Sequence, residues 1–365
     1  MLLRKNTNEC SPSENGSACV WLDKVSKSFA NAKAVSQLTV SIAKGEFFSL
    51  LGPSGCGKTT TLRLIAGLDR PDEGSIIING EPVAAQNTWV LPEKRGIGIV
   101  FQDYALFPHM TVAQNVAFGL KGYPREKAKD RVAQLLELTG LAGLGGRYTH
   151  ELSGGQRQRV ALARSLAPSP QVVLLDEPFS NLDADLREEL RGETKRILKE
   201  QDATVILVTH DQEEAFSLSD KVGVLNKGTL EQEGTPAEIY HHPRSKFVAD
   251  FVGKADFIDG QIKNGTVSSA FGTFPLPDNL TQVAGQVELM VRPDDVLFHL
   301  DTTGEATITE ARFLGASVLY RLQFASGPSI HAIRPSTEIS PVGARVRVEL
   351  DARHIVIFPK NHTTA

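Results

Sequence analysis

Residues 52–59 read Gly-Pro-Ser-Gly-Cys-Gly-Lys-Thr and follow directly on the apolar run Phe47-Phe48-Ser49-Leu50-Leu51. The pattern GxxxxGK(S/T) restricts what the surrounding chain can be, because its chemistry works only between a strand and a helix. Glycines let the backbone wrap closely around a phosphate with its N–H groups turned inward. A helix beginning at Lys58 adds the positive end of its dipole. The spacing predicts that helix over residues 58–66, stopped by Gly67. Lys58 then neutralises β- and γ-phosphate oxygens, and Thr59 offers its hydroxyl to Mg²⁺. The candidate nucleotide-binding set is Gly52, Pro53, Ser54, Gly55, Cys56, Gly57, Lys58, Thr59 and Thr60.

From residue 20 to about 230, short apolar runs alternate with helical patterns, the rhythm of a mostly parallel α/β sheet. The runs at 46–51, 172–175 and 204–208 are continuously apolar, as strands covered on both faces should be. A helical insertion occupies about 103–168, with Thr111 and Gln114 placed as a capping box. Near Ala255 the pattern changes to short strands and turns. Asn264-Gly265 signals a hairpin, and strand-like runs follow at 287–291, 316–324, 344–350 and 354–358. The expected organisation is therefore an N-terminal tail at 1–19, an α/β domain at 20–254, and an all-β domain of one or two small barrels at 255–365.

The tail is rich in Ser, Asn and Glu and lacks the apolar stretch of a signal peptide, so it reads as disordered. No apolar run approaches a membrane span. Three cysteines, Cys10, Cys19 and Cys56, cannot build a disulfide framework, and an odd count suits a reducing compartment. A formal charge of −4 over 365 residues offers nucleic acid no electrostatic footing.

Two further apolar runs end in reactive side chains. The strand at 172–175 delivers Asp176 and Glu177, and that at 204–208 leads to His210. Ligands of open α/β sheets sit beyond the carboxyl ends of strands, so these groups should converge on the phosphate loop. Neighbouring residues of an extended chain point to opposite sides, which gives the two carboxylates different tasks. Asp176 is expected to hold Mg²⁺ and Glu177 to polarise the attacking water.

With these residues in place the chain resembles the ATPase subunit of an ABC transporter. Leu-Ser-Gly-Gly-Gln at 152–156 matches that family's signature, Ser-Asn-Leu-Asp at 180–183 its D-loop, Gln102 its Q-loop and His210 its switch histidine. The fold class implied is a P-loop ABC ATPase domain with a helical subdomain, followed by an OB-like regulatory domain. The resemblance implies a head-to-tail dimer in which Ser153, Gly154, Gly155 and Gln156 of one copy receive the ATP held by the other, with Asp183 in the D-loop between them. It makes Phe29 the adenine-stacking aromatic, gives Gln102 a part in catalysis and Mg²⁺ binding, and makes Glu177 and His210 catalytic. It also implies a membrane permease partner, with Phe101, Tyr104 and Phe107 as candidates for its docking groove or, equally, for the core. The location implied is the cytoplasmic face of a bacterial inner membrane.

Residues from 255 onward resemble the OB-like extension of importer ATPases for sugars, polyamines, sulfate and ferric iron. Arg-Pro-Asp-Asp at 292–295 stands where that extension has Arg-Pro-Glu, and 313–322 also fits. An OB barrel invites a nucleic-acid reading, but the net charge of −3 over 255–365 argues against it. His299, His331 and His354 lack the spacing of metal ligands. A soluble ABC ATPase of repair or translation usually carries two cassettes or a coiled-coil insert, which this chain lacks. A small-molecule P-loop kinase would leave the signature and D-loop without a purpose. The stretch 136–159 looks most like the ferric-ion importers, so the expected cargo is ferric iron delivered by a solute-binding protein, with polyamine or another small solute as the alternative.

Overall fold

The computed structural model describes residues 18–30, 32–263, 265–269, 271–275, 285–325, 327–351 and 356–360. By internal contact the chain divides at Pro236–Ala237, ahead of the change in composition near Ala255. The N-terminal tail lies outside the described residues except for Ala18 and Cys19, which open the first strand.

The first unit opens with β1 (Ala18–Phe29), β2 (Ala32–Ala43) and β3 (Phe47–Leu51), followed by α1 (Lys58–Ala66). Next come β4 (Glu73–Ile78), β5 (Glu81–Ala85), β6 (Thr88–Trp89) and β7 (Ile97–Val100). The helical insertion holds α2 (Val112–Ala117), α3 (Arg125–Leu138) and α4 (Gly154–Leu166). The chain then returns through β8 (Val172–Asp176), α5 (Ala184–Glu200), β9 (Thr204–Thr209), α6 (Gln212–Leu218), β10 (Lys221–Asn226) and β11 (Thr229–Gly234).

These strands form two sheets. One runs β2-β1-β4-β5-β6 and is antiparallel; the other runs β11-β10-β3-β9-β8-β7 and is parallel from β10 to β7. The central strands β3 and β9 are buried along their whole length, which is why their sequences do not alternate. Strand periodicity still assigns the faces. Phe47, Val173, Leu175, Val205 and Leu207 pack with the helical insertion. Phe48, Val172, Leu174, Ile206 and Val208 pack with α1 and the antiparallel sheet.

The insertion is built by local hydrogen bonds as much as by its core. Thr111 and Gln114 form the expected capping box at the start of α2. Asn115, fully buried, accepts from the Phe107 N–H and donates to the carbonyls of Phe107, Met110 and Thr111, which folds the turn ahead of that helix. For Tyr104, which the sequence left open between docking groove and core, the structure shows core: it is 5% exposed and packs with Val100, Val112 and Leu162. Burial pushes its hydroxyl pKa up. Phe107 stays partly exposed, against the exposed ring of Phe118 at 4.4 Å.

The second unit begins with α7 (Pro236–His241) and α8 (Lys246–Phe251). It continues with β12 (Asp256–Lys263), β13 (Thr266–Ser269), β14 (Gly272–Pro275), β15 (Gly285–Val291), β16 (Val296–Leu300) and β17 (Ala306–Phe313). The last strands are β18 (Ser317–Phe324), β19 (Ser329–Pro335), β20 (Arg345–Leu350) and β21 (Val356–Pro359). They make two five-stranded antiparallel sheets, β14-β13-β12-β15-β21 and β16-β20-β17-β18-β19. Lys263 pairs with Thr266 across the expected hairpin, with Gly265 at φ 76°; Asn264 lies outside the described residues.

One buried cation organises this unit. Arg292, 0% exposed, donates to the carbonyls of Ala249, Gly253, Lys254 and Tyr240, and its guanidinium lies 4.4 Å from the Tyr240 ring centroid. It thereby ties α7, α8 and the turn after them to the end of β15. Burial lowers the Arg292 pKa, and burial beside Asp294 pushes that of Tyr240 up to about 12. His331 is likewise structural: its Nδ1 lies 2.9 Å from Asp256 Oδ1, linking β19 to β12. His354 lies outside the described residues. No helix among the described residues is long and apolar enough to cross a membrane.

Candidate active site

Four neighbouring parallel strands, β3, β9, β8 and β7, each release a candidate residue at the carboxyl end. From β3 comes the phosphate loop, from β9 His210, from β8 Asp176 and Glu177, and from β7 Gln102. Sheet order therefore brings together residues that are more than a hundred positions apart in sequence.

The loop at 52–57 is shaped by close backbone approach. Gly57 has φ 106°, and a Cβ there would meet the Ala34 carbonyl at 2.3 Å. Its N–H donors precede α1, which runs from Lys58 to Ala66 and ends on the left-handed Gly67, as the sequence predicts. Ser54, Gly55 and Thr59 are exposed, Pro53 and Thr60 partly so, and Gly52, Cys56, Gly57 and Lys58 buried. The Lys58 ammonium is folded into the loop, 2.7 Å from the Gly52 carbonyl and 3.0 Å from that of Pro53. Burial pushes the Cys56 thiol up, against the pull of Lys58.

Across the loop, Thr59 Oγ1 donates to Asp176 Oδ1 at 3.2 Å. Burial raises the Asp176 pKa, and the adjacent Glu177 charge adds to the rise, against the opposing effects of Thr59 and Lys58. A carboxylate in that condition gains from a cation beside it. Among the described residues no cluster of three or more His, Cys, Asp or Glu side chains could ligate a metal alone. One hydroxyl and one carboxylate beside a phosphate loop suit Mg²⁺, which keeps waters and phosphate oxygens in its shell.

Glu177 sits at φ 45°, with its N–H donating to the Val208 carbonyl at 2.9 Å. That turn separates it from its neighbour and brings its Oε1 to 3.2 Å from His210 Nδ1. The Glu177 carbonyl in turn accepts from Ser180 Oγ at 2.9 Å. The 180–183 turn also reaches Gln102, whose carbonyl accepts from Asn181 Nδ2 at 2.9 Å. Gln102 itself is exposed. Asp183 caps α5 by accepting from the Leu186 N–H.

Ser153, Gly154, Gly155 and Gln156 stand at the start of α4, and Ser153 and Gln156 close a reciprocal capping box. Ser153 is exposed and Gly155 buried, where a Cβ would meet Leu190 Cδ1 at 3.0 Å. Gly155 thus serves the packing of α4 on α5 as well as any ligand. Phe29 ends β1 with 47% of its surface exposed and the Lys27 ammonium 5.4 Å from its ring centroid. Sequence reading passed over Arg187, Arg191 and Asp211, which surround the His210 turn. Their signal was present in the four-residue spacing of the two arginines on one helix face and an aspartate directly after the histidine.

The ABC transporter family model matches residues 35–180, and the TOBE domain model matches residues 289–358. The sulfate/thiosulfate import ATP-binding protein CysA of Thermosynechococcus vestitus is 45% identical over 318 residues, 86% of this chain and 89% of the relative. The chain belongs to the ABC transporter family. Within it, this ABC ATPase groups with the ATP-binding subunits of importers. The spermidine/putrescine import ATP-binding protein PotA of Acetivibrio thermocellus is 44% identical over 280 residues, 76% of this ABC ATPase and 78% of the relative. The Fe(3+) ions import ATP-binding protein FbpC of Brucella abortus is 39% identical over 349 residues, covering 93% and 97%. Among solved structures, the dimeric post-hydrolysis state of an ATP-binding cassette bound to ADP and Pi matches with a TM-score of 0.53 and 33% identity. That match covers 60% of this ABC ATPase and 98% of the cassette. The β-rich second unit carries the TOBE domain.

Proposed function

We propose that this ABC ATPase hydrolyses ATP at the strand ends just described and so powers import of a small charged solute through a membrane permease. The observation that carries the reading is the convergence of the phosphate loop, Asp176, Glu177 and His210 on three adjacent strands. Backbone N–H groups of the loop and Lys58 hold the β- and γ-phosphates, and Phe29 stacks on the adenine. Glu177 orients a water and His210 steadies that carboxylate. The water oxygen bonds to the γ-phosphorus as the bond to the β–γ bridging oxygen breaks, leaving ADP with the electron pair. The water proton passes to the phosphate product. Thr59, Asp176 and Gln102 would hold Mg²⁺, which when bound neutralises charge on the transferring phosphoryl group.

Two copies are proposed to pack head to tail, so that Ser153, Gly154, Gly155 and Gln156 of one close on the γ-phosphate held by the other, with Asp183 between them. The exposed helix start capped by Ser153 supports this, as does the dimeric cassette among the similar structures. ATP then favours the closed pair and ADP the open one, which is the switch a permease can use. The partly exposed Phe101 and Phe107 remain candidates for the permease groove; the protein would then be peripheral on the cytoplasmic face of the membrane.

For the solute, the names of the relatives support the alternative over ferric iron. Sulfate or thiosulfate stands first, polyamine next, and ferric iron behind at lower identity. An ATPase subunit does not contact the cargo, so 136–159 encodes it only by kinship. The experiment is reconstitution with the neighbouring permease in vesicles, measuring ATP hydrolysis as each candidate binding protein is added with sulfate, spermidine or Fe³⁺. Stimulation by the sulfate-loaded protein alone is the expected result. Stimulation only by another solute would replace the cargo, and phosphoryl transfer to a small acceptor instead of water would end the transport reading.

A further inference from the structure

The contacts around His210 close a ring that runs through the helix after the D-loop. His210 Nδ1 meets Glu177 Oε1 at 3.2 Å, and the Glu177 carbonyl accepts from Ser180 at the start of the 180–183 turn. At the other end of that turn, the Leu182 carbonyl accepts from Arg187 Nη2 at 3.0 Å. Arg187 Nη1 then lies 3.5 Å from Asp211 Oδ2, and Asp211 adjoins His210. One turn further along α5, Arg191 Nη2 binds the same Asp211 oxygen at 2.9 Å.

Asp211 is spoken for on every side. Its Oδ1 accepts from the Glu214 N–H at 3.1 Å, capping α6, and its own N–H donates to Thr209 Oγ1 at 3.0 Å. Thr209 donates to Glu214 Oε2 at 2.6 Å, and Arg191 also lies 3.4 Å from Glu214 Oε1 and 3.3 Å from Glu213 Oε2. Arg191 is 8% exposed and Glu214 is buried with it, so that pair is shielded from water; Asp211 is partly exposed, and Glu213 lies at the surface. Two guanidinium groups on one helix face fix the carboxylate from two directions, and a planar fork that spans Leu182 and Asp211 is something an ammonium does not supply.

We propose that Arg187 and Arg191 are positioning residues for hydrolysis: through Asp211 they set His210 against Glu177 and tie that pairing to the 180–183 turn. The inference rests on the reading of Glu177 and His210 as the hydrolytic pair. It makes α5 the lever by which movement of the D-loop reaches the water-orienting carboxylate, within one chain and independently of the phosphate loop.

The test is a double-mutant cycle in the full chain, measuring kcat, KM for ATP with Mg²⁺, and thermal unfolding. Asp211→Asn keeps the oxygen that caps α6 and removes the charge that both arginines bind. Arg187→Met removes the bridge to Leu182. Each is expected to lower kcat about tenfold with KM changed less than about twofold, because the contact acts on geometry at the reacting atoms rather than on ATP binding. In a His210→Ala background neither should lower kcat further. Losses that multiply in that background, or a rise in KM matching the fall in kcat, would overturn the proposal. So would an unchanged kcat in Asp211→Asn beside a crippled His210→Ala, which sinks the linkage and leaves the hydrolytic pair standing. Full kcat in His210→Ala sinks both. Arg191→Met leaves Glu214 buried without its cation and risks misfolding; Asp211→Asn does not, so the cycle decides either way.

Discussion

His210 Nδ1 stands 3.2 Å from Glu177 Oε1, although the two residues leave different strands and lie on opposite sides of α5 in sequence. Strands β8 and β9 pair in parallel with Asp176 opposite Val208, so the register of the sheet delivers both side chains to the same height. The left-handed turn at Glu177 then swings its carboxylate toward the histidine.

Replacing Glu177 by Gln keeps the shape of that side chain and removes its basicity. Turnover should fall by about 10² to 10⁴. ATP affinity should change little, and with ATP present the two-copy form should accumulate. Single-turnover hydrolysis and size-exclusion chromatography with ATP measure both. Near-normal turnover would remove Glu177 from the reaction.

Lys58 is expected to contribute before chemistry begins. Its ammonium lies between the carbonyls of Gly52 and Pro53, poised inside the loop. Lys58→Ala should weaken ATP binding by about tenfold to a hundredfold, the scale of a lost charge-assisted hydrogen bond. Titration with a fluorescent ATP analogue reads it directly; an unchanged Kd with a lower kcat would assign Lys58 to the transition state alone.

Asp176 carries a cost in the free chain. Burial holds its pKa above the ordinary 3.8 in the folded state. As pH rises past the unfolded value, the unfolded chain loses its proton first, so stability falls until the folded pKa is passed and stays lower above it. Asp176→Asn is neutral throughout. It should unfold at a higher temperature at pH 7 without nucleotide or Mg²⁺, and turnover should drop by about a hundredfold or more. Calorimetry from pH 7 down into the ordinary carboxylate range checks the sign: the gain should shrink as pH falls toward 3.8.

Ser153 caps α4 and is proposed to meet the partner's phosphate, and one substitution pair separates the two. Ser153→Ala loses the N-cap of α4, costing about 1 kcal/mol, and also the hydroxyl offered outward. Ser153→Asp retains the cap but places a negative charge where the partner's phosphate would sit. Both should lose ATPase activity, while only the alanine form should melt earlier. Full activity in Ser153→Asp would contradict the head-to-tail arrangement.

Arg292 holds the second unit together through four backbone carbonyls. Arg292→Met leaves those carbonyls buried without donors and should destabilise this unit by about 3 kcal/mol or more. Limited proteolysis should then cut within 237–254 while residues of the first unit stay protected. Equal resistance in both forms would mean the segment is held by its helices alone.

Much of this was legible without coordinates because local rules and local chemistry coincided. A glycine loop between an apolar run and a helix could take one shape, and the bounds of α1 followed from Lys58 and Gly67. The capping box at Thr111 was set by residues three apart, whereas the one that Ser153 makes with Gln156 was not read from the sequence. What stayed hidden depended on partners distant in sequence. Tyr104 could be read equally as core or as docking surface until β7, α2 and α4 closed around it. Nothing near Arg292 in sequence announces that it binds carbonyls some forty to fifty residues earlier, and by contact α7 and α8 go with the unit it organises.

The chain's sequence by itself determined the phosphate loop, the order of the reactive residues and the burial of the strands that carry them, since each follows from a pattern within a few positions. Only the tertiary structure decided that His210 faces Glu177, that Asp176 is charged at a cost, and that α5 clamps the turn between them. Those depend on which strands neighbour which, and strand order is fixed by the packing of two sheet faces against different partners rather than by any single segment.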